Sequence, residues 1–297
     1  MSRTLPKYTS DGVLFFTPFL ALSKLIETFI FLHFKGMENC EKPLVLITND
    51  DGYLNGNILA LARALAEVAR VFVFAPETEQ SGVGQAFTVR RGLKVEKIGE
   101  AGENSPYTMY SVSGTPADCA KFAIGHFAKE NGFTFDVCFS GVNVGENAGV
   151  SSLYSGTVAG AREAALWGIP ALALSLHGLH GDLLDEAIGF AKKVVVEQLY
   201  KKMAPNIFWN VNFPKDKYGP LKGYRAAKMA LGMFTDHYTC HNGLWQLDGE
   251  KLWQKEPEDS DDFLLHQGYA TIVPHRIDQT DYESLKNINA LLGTPSN

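Results

Sequence analysis

From residue 44 to about 212, short apolar runs alternate with longer segments of helical periodicity, and this alternation limits the fold more than any other feature. Residues 44–48 (LVLIT), 71–75 (VFVFA), 107–112, 135–140, 170–175 and 207–212 read as strands, since each is short, apolar and bounded by polar or glycine-rich residues. Between them, 57–69, 116–130, 156–167 and 182–201 read as helices. In the first of these Ile58, Leu61, Leu65 and Val68 recur at helical spacing, and in the last Leu184, Ile188, Ala191 and Val195 do the same. Strands separated by helices run parallel, because a parallel connection needs a long crossover, and such a sheet is buried on both faces. The expected fold class is therefore α/β, a Rossmann-like three-layer arrangement around a parallel sheet.

Beyond about residue 215 the character changes. Trp245, Trp253, Gly243 and Gly249, with the patches 222–230, 243–247 and 268–273, predict a β-rich excursion over about 215–275 used in subunit contact, and 279–292 predicts a closing helix. At the other end, residues 13–34 are nearly apolar, but Lys24 and Glu27 interrupt them and are costly at a bilayer centre. Arg3 and Lys7 precede the run as in a signal peptide, yet no small-residue cleavage pattern follows. The expected organisation is an apolar extension over 1–36, outside the fold and with no membrane role unless it is an anchor, followed by one domain over 37–297 that starts at Met37.

Net charge is −6, and no basic run interleaved with aromatics occurs, so polymeric nucleic acid is not an expected partner. Cys40, Cys119, Cys138 and Cys240 lie far apart with no C-x-x-C pair, which points to reduced thiols and a cytoplasmic location.

The chemistry concentrates in loops that follow strands, where ligands of open parallel sheets bind. Asn49-Asp50-Asp51-Gly52 follows the first strand. Neighbouring strand residues point to opposite faces, so the two carboxylates converge only if the chain has already turned, which Gly52 allows. Converging carboxylates repel unless a proton or a cation lies between them. Taken alone, Asp50 reads as a helix cap and Asp51 as a solvated side chain. Ser81, in the Pro76 to Gly84 loop, and Asn143, in the Ser140 to Gly149 loop, fall on the same rim. Two carboxylates, a hydroxyl and an amide oxygen form an all-oxygen set suited to Mg²⁺, Mn²⁺ or Ca²⁺. Tyr154-Ser155-Gly156-Thr157 opens a helix, and its hydroxyls and N–H groups make an anion site.

Rival chemistries lack their signatures. The first strand ends in Asp-Asp where a dinucleotide site has G-x-G-x-x-G, and neither a G-x-S-x-G elbow nor a P-loop occurs. From a different class, the same pocket fits a non-catalytic nucleotide-binding protein or a membrane-tethered interaction protein. If helical, Asp262 and His266, with Asp261 and Phe263 alongside, share a face; they are expected to be a solvated pair, the alternative being an acidic-Phe pattern that closes over the site. His177 with His180, and His237 with Cys240 and His241, are incomplete zinc sets expected to serve at the surface or a subunit interface.

In order, Asn49-Asp50-Asp51-Gly52, the Ala75-Pro76 to Ser81-Gly82 loop, Ser113-Gly114-Thr115-Pro116-Ala117-Asp118, Ser140-Gly141-Val142-Asn143 with Asn147-Ala148-Gly149, and Tyr154-Ser155-Gly156-Thr157-Val158-Ala159 resemble the SurE family of survival-protein nucleotidases. Gly168-Ile169-Pro170 through Ser175 continues the likeness, which covers about 44–275. The resemblance implies a SurE-like fold and a metal-dependent phosphomonoesterase acting on nucleoside 5′- and 3′-monophosphates, in some members also on short polyphosphate, as a homodimer or homotetramer. It implies one divalent ion per subunit held by Asp50, Asp51, Ser81 and Asn143; the site chemistry then makes Asp50 or Asp51 the expected catalytic base. Asn49, Asn147, Ser155, Gly156 and Thr157 are the implied phosphate and substrate contacts. One departure stands out: Tyr53-Leu54-Asn55 replaces the family's Ala-Pro-bearing first loop.

Overall fold

The side chains of Val45, Leu46 and Ile47 are wholly buried, and they face alternate sides of the sheet they centre. They belong to β1 (Leu44–Thr48) of a computed structural model that describes residues 42–293 apart from 103, 104, 179, 180 and 233. The expected 1–36 extension lies outside the described residues.

β1 pairs in parallel with β2 (Arg70–Pro76) on one side and with β5 (Val137–Val144) on the other. Outward from β2 come β4 (Thr108–Val112), parallel, and the antiparallel edge strand β3 (Val95–Gly99). Outward from β5 come β6 (Ala171–Leu176) and β7 (Ile207–Phe213), both parallel. The nine-stranded sheet is completed by β11 (Ala270–Arg276), antiparallel to β7, and β8 (Tyr224–Ala226).

Helices cover both faces. α1 (Gly56–Ala66) and α5 (Gly181–Val196) pack with Val45, Ile47, Val71 and Val73 in one core cluster. α2 (Pro116–Phe122) and α4 (Gly156–Leu166) pack with Leu46, Phe74 and Cys138 in the other. Between α2 and α4 in sequence, a single helical turn, α3 (Ser151–Tyr154), leads into α4. The three-layer architecture is as expected.

Three boundaries differ from expectation. β5 continues four residues beyond 140, so Asn143 lies in the strand and not in a loop after it. Its pairing with β6 shifts register between Ser140 and Asn143, where Gly141 has φ +132 and a Cβ would stand 2.3 Å from Leu174 O. Only glycine admits that approach. α5 ends at Val196, because Gln198 adopts a left-handed conformation (φ 53) and a short 3-10 turn follows. The β-rich excursion is mostly an extension of the main sheet through β8 and β11. Among the described residues, only the hairpin of β9 (His237–His241) and β10 (Leu244–Asp248) forms a separate two-stranded sheet. α6 (Asp261–His266) and α7 (Tyr282–Leu292) complete the chain.

Candidate metal and phosphate site

The chain lays β2 and β4 on one side of β1, then returns to lay β5, β6 and β7 on the other. The change of direction falls between β1 and β5, and such a switch point is where open parallel sheets bind ligands. Asp50 and Asp51 follow β1 directly, and Asn143 is the penultimate residue of β5.

Gly52, at φ +96, turns the chain immediately after the aspartates. Tyr53 N–H donates to Pro76 O (2.9 Å) and Gln80 N–H to Asp50 O (2.7 Å), which straps this turn to the loop after β2. Asn49 Nδ2 donates to Gly52 O (2.9 Å), while Asn49 Oδ1 is buried without a partner. Asn55 caps α1 through its side chain, so α1 begins as soon as the turn is complete.

Asp50 is buried. Its Oδ1 accepts the Thr157 hydroxyl and its carboxylate also accepts the Thr157 amide, placing the anion at the N-terminus of α4. Burial holds its pKa above the usual carboxylate range, partly opposed by those two bonds. Gly156 is required at this contact, since a Cβ there would stand 2.9 Å from Asp50 Cβ and 3.2 Å from Val83 Cγ1. Asp51 accepts the Val144 amide, one residue from Asn143, yet its Oδ2 is buried without a partner. Burial, then the charges of Asp50 and Glu79, push Asp51 up to about 6.

Ser81 is exposed, and its hydroxyl donates to Glu79 Oε1 at 2.5 Å. Its loop is pinned to the approach of α4 by Gly84 N–H donating to Tyr154 O (2.9 Å). Asn143 Nδ2 donates to Gly145 O (2.8 Å), which commits the amide nitrogen and leaves Oδ1 open. Asn147 is committed elsewhere: its N–H donates to Asn212 Oδ1 (2.7 Å), its Nδ2 to Ser175 Oγ (2.9 Å), and its carbonyl accepts Asn210 Nδ2 (2.8 Å). Ser155 Oγ accepts Val158 N–H (3.1 Å) as the α4 cap.

Asp50, Gly156 and Thr157 are thus in direct contact, and Asp51 reaches the residue beside Asn143. Ser81 is linked to the aspartates through Glu79, whose charge acts on both. The donor chemistry fits a hard divalent cation: clustered carboxylates short of partners, an orphaned Asp51 oxygen, and neutral hydroxyl and amide oxygens nearby. Among the described residues no three of His, Cys, Asp and Glu gather as a metal set. A cation here therefore depends on the hydroxyl and amide oxygens too.

Glu79 was not expected; its only signal is its place two residues before Ser81 on the same loop. The expectation of a solvated Asp262–His266 pair is wrong for Asp262, and Asp261 beside it is buried as well. Both are buried at the start of α6, tied to backbone N–H groups and to Lys251. His237, Cys240 and His241 are exposed on β9, where Cys240 faces opposite to both histidines, so they do not converge. His177 is buried, with Nε2 3.3 Å from Glu146 Oε2, and burial holds its pKa down at about 3. His180 lies outside the described residues.

An oxygen-rich crevice at the switch point of a parallel sheet, closed by a helix N-terminus, defines an α/β protein equipped to hold a hard cation beside an anion. A family profile described as Survival protein SurE matches residues 45–236, and the chain belongs to that family. It is 36% identical over 254 residues to a 5′-nucleotidase SurE of Flavobacterium psychrophilum, covering 84% of this chain and 97% of the relative. A 5′-nucleotidase SurE of Fervidobacterium nodosum is 33% identical over 260 residues, covering 85% and 98%. The crystal structure of a SurE protein from Aquifex aeolicus superposes with TM-score 0.71 at 30% identity, covering 84% of this chain and all of that one.

Proposed function

We propose that this chain is a divalent-metal-dependent phosphomonoesterase that hydrolyses nucleoside 5′-monophosphates to nucleoside and phosphate. The observation that carries the reading is the contact of Asp50 with Thr157 and Gly156, which joins the carboxylate turn to the helix that opens the anion site. Relatives named as 5′-nucleotidases, matched along nearly their whole length, support the substrate class.

Asp50 and Asp51 supply the anionic ligands of one Mg²⁺ or Mn²⁺ per subunit, with Ca²⁺ as the third candidate, and Ser81 and Asn143 the neutral ones. When bound, the ion supplies Lewis-acid polarisation of a phosphoryl oxygen and acidifies a water. Thr157 holds Asp50 in place. Of the two aspartates we assign the proton of the attacking water to Asp51, and its Oδ2, which has no protein partner, supports that assignment. The N–H of Gly156, at the first turn of α4, is the group offered to the phosphate, since those of Thr157 and Val158 are taken by Asp50 and Ser155. Asn49, buried with its Nδ2 donated to Gly52 O, shapes the carboxylate turn. Asn147 acts by shaping the loop after β5.

The finer reading extends to 3′-monophosphates and short polyphosphate, a cytoplasmic setting, and a homodimer or homotetramer. No described helix is long and apolar enough to cross a membrane. The β9–β10 hairpin supports self-association: Tyr238 and Trp245 are 62% and 69% exposed, and an isolated two-stranded ribbon is only marginally stable in water. Relatives named as 5′-nucleotidases speak against a non-catalytic binding role. The deciding experiment measures phosphate release from AMP, GMP, 3′-AMP and tripolyphosphate with Mg²⁺, Mn²⁺ or Ca²⁺. Release from AMP that stops with a chelator is expected; no release with any of the three ions overturns the reading.

A further inference from the structure

Four consecutive residues after β5 each have a separate holder, and two of those holders come from the C-terminal excursion. Glu146 Oε2 lies 3.3 Å from His177 Nε2. Asn147 is fixed by Ser175, Asn210 and Asn212. Ala148 O accepts Lys251 Nζ at 2.7 Å, and Gly149 N–H donates to Asp261 Oδ2 at 2.8 Å.

The outer two holders are themselves built in. Lys251 Nζ also donates to Asp262 Oδ1 (2.7 Å), with both side chains nearly buried. Asp261 Oδ1 accepts the amides of Ala230 (2.8 Å) and Asp262 (2.9 Å). There is no slack between the excursion and the loop: a Cβ on Gly149 would stand 2.7 Å from Asp262 Oδ2 and 3.0 Å from Ala230 Cβ. A buried ion pair of this kind adds little net stability compared with apolar packing, so its effect on geometry is the feature to explain.

We propose that Lys251 and Asp261 are positioning residues for the reaction: by fixing Ala148 and Gly149 they set the path of the loop from Gly145 to Gly149, and with it the aim of the Asn143 amide oxygen. The link to Asn143 runs back along the loop to Gly145, whose O orients Asn143 Nδ2 (2.8 Å) and whose N–H is held by Leu176 O (2.9 Å). Lys251 also stands at the foot of the β9–β10 hairpin, whose base is closed by Thr235 N–H donating to Glu250 O (2.9 Å). The hairpin is therefore one side chain away from the loop. The inference rests on Asn143 being a metal ligand.

The test compares the full chain with Lys251→Met, Lys251→Arg, Asp261→Asn and, as a stability control, Asp136→Ala. Asp136 bonds the Leu44 amide (2.8 Å) where β1 begins, at the opposite rim of the sheet. Mn²⁺ affinity is read from free Mn²⁺ by electron paramagnetic resonance without substrate, then kcat and KM are measured for AMP. Lys251→Met and Asp261→Asn are expected to weaken Mn²⁺ binding by about tenfold, with kcat falling in step and KM nearly unchanged. Lys251→Arg restores most of the affinity, and Asp136→Ala lowers Tm while leaving the affinity alone. Wild-type affinity in folded Lys251→Met and Asp261→Asn overturns the proposal, as does an equal loss in Asp136→Ala. Asp261→Asn reads the same claim through Gly149 if Lys251→Met does not fold. If the wild-type chain binds Mn²⁺ but leaves AMP intact, the nucleotidase reading fails, and the affinity comparison still decides the positioning claim. A wild-type chain that binds no Mn²⁺ overturns it.

Discussion

The hydroxyl of Thr157, in the first turn of α4, donates to Asp50 Oδ1 across 107 positions of sequence. One bond thereby connects the end of β1 to the helix that opens the anion site. Replacing Thr157 with Val keeps the shape and leaves a buried carboxylate oxygen short of a partner, a loss of about 1–3 kcal/mol. Chemical denaturation of the metal-free protein should show that loss, and Mn²⁺ binding should weaken with it; an unchanged midpoint and affinity would remove Asp50 from the structural centre of the site.

Asp51→Asn removes the charge on the least satisfied oxygen of the crevice. A ligand or base at this position predicts a rate lower by about two orders of magnitude or more, with metal supplied. Near-normal turnover of AMP in this variant would remove Asp51 from the mechanism.

Gly156→Ala tests space and not charge. The added methyl would meet Asp50 Cβ at 2.9 Å, Asp50 Oδ2 at 3.1 Å and Val83 Cγ1 at 3.2 Å, so the carboxylate must shift. Alanine suits the first turn of a helix, and α4 itself should form normally. The expected result is a protein with wild-type circular dichroism and a metal affinity and kcat each lower by about tenfold or more.

His275 predicts an acid limit to stability. Its ring stacks on Phe208 at 5.2 Å, and burial, then the nearby Arg162 charge, hold its pKa down at about 4. The unfolded chain takes up this proton near pH 6.5 and the folded chain only near 4, so the stabilisation is complete above 6.5 and is lost as pH falls between those values. His275→Phe should flatten the fall in unfolding free energy between pH 7 and pH 4.5, by an amount on the order of 2 kcal/mol. Parallel curves for the two proteins would show that the ring does not titrate in this window.

Trp245→Glu addresses the hairpin. A charge placed on an apolar ribbon that meets a second copy should lower the oligomer mass measured by light scattering, while the far-ultraviolet circular dichroism stays unchanged. An unaltered mass would move the subunit contact elsewhere.

The parallel strands were legible because they are buried on both faces and so read as unbroken apolar runs. β3 was not: it lies at an edge, its Glu96, Lys97 and Ile98 are exposed, and no pattern separates it from a loop. The reach of β5 to Asn143 was hidden because Gly141-Val142-Asn143 reads as a turn, and only the close approach of Leu174 explains the glycine within the strand. Asp50 and Asp51 stood out as adjacent charges at a strand end. Thr157 stood out as a phosphate contact at a helix start, but its bond to Asp50, like the place of Glu79, did not, because periodicity carries no information about which distant side chains meet. Asp262 looked solvated for the same reason, since a buried carboxylate is recognisable only once its donors are placed.

Every candidate donor oxygen lies at one rim of the sheet. The opposite rim carries turns such as Asn131-Gly132 and Trp167-Gly168, where Gly132 and Gly168 have open space around them. That division leaves the far rim available for grafting: a fluorophore, an affinity tag or new chain termini introduced at Gly132 or Gly168 should travel with the enzyme without entering its chemistry.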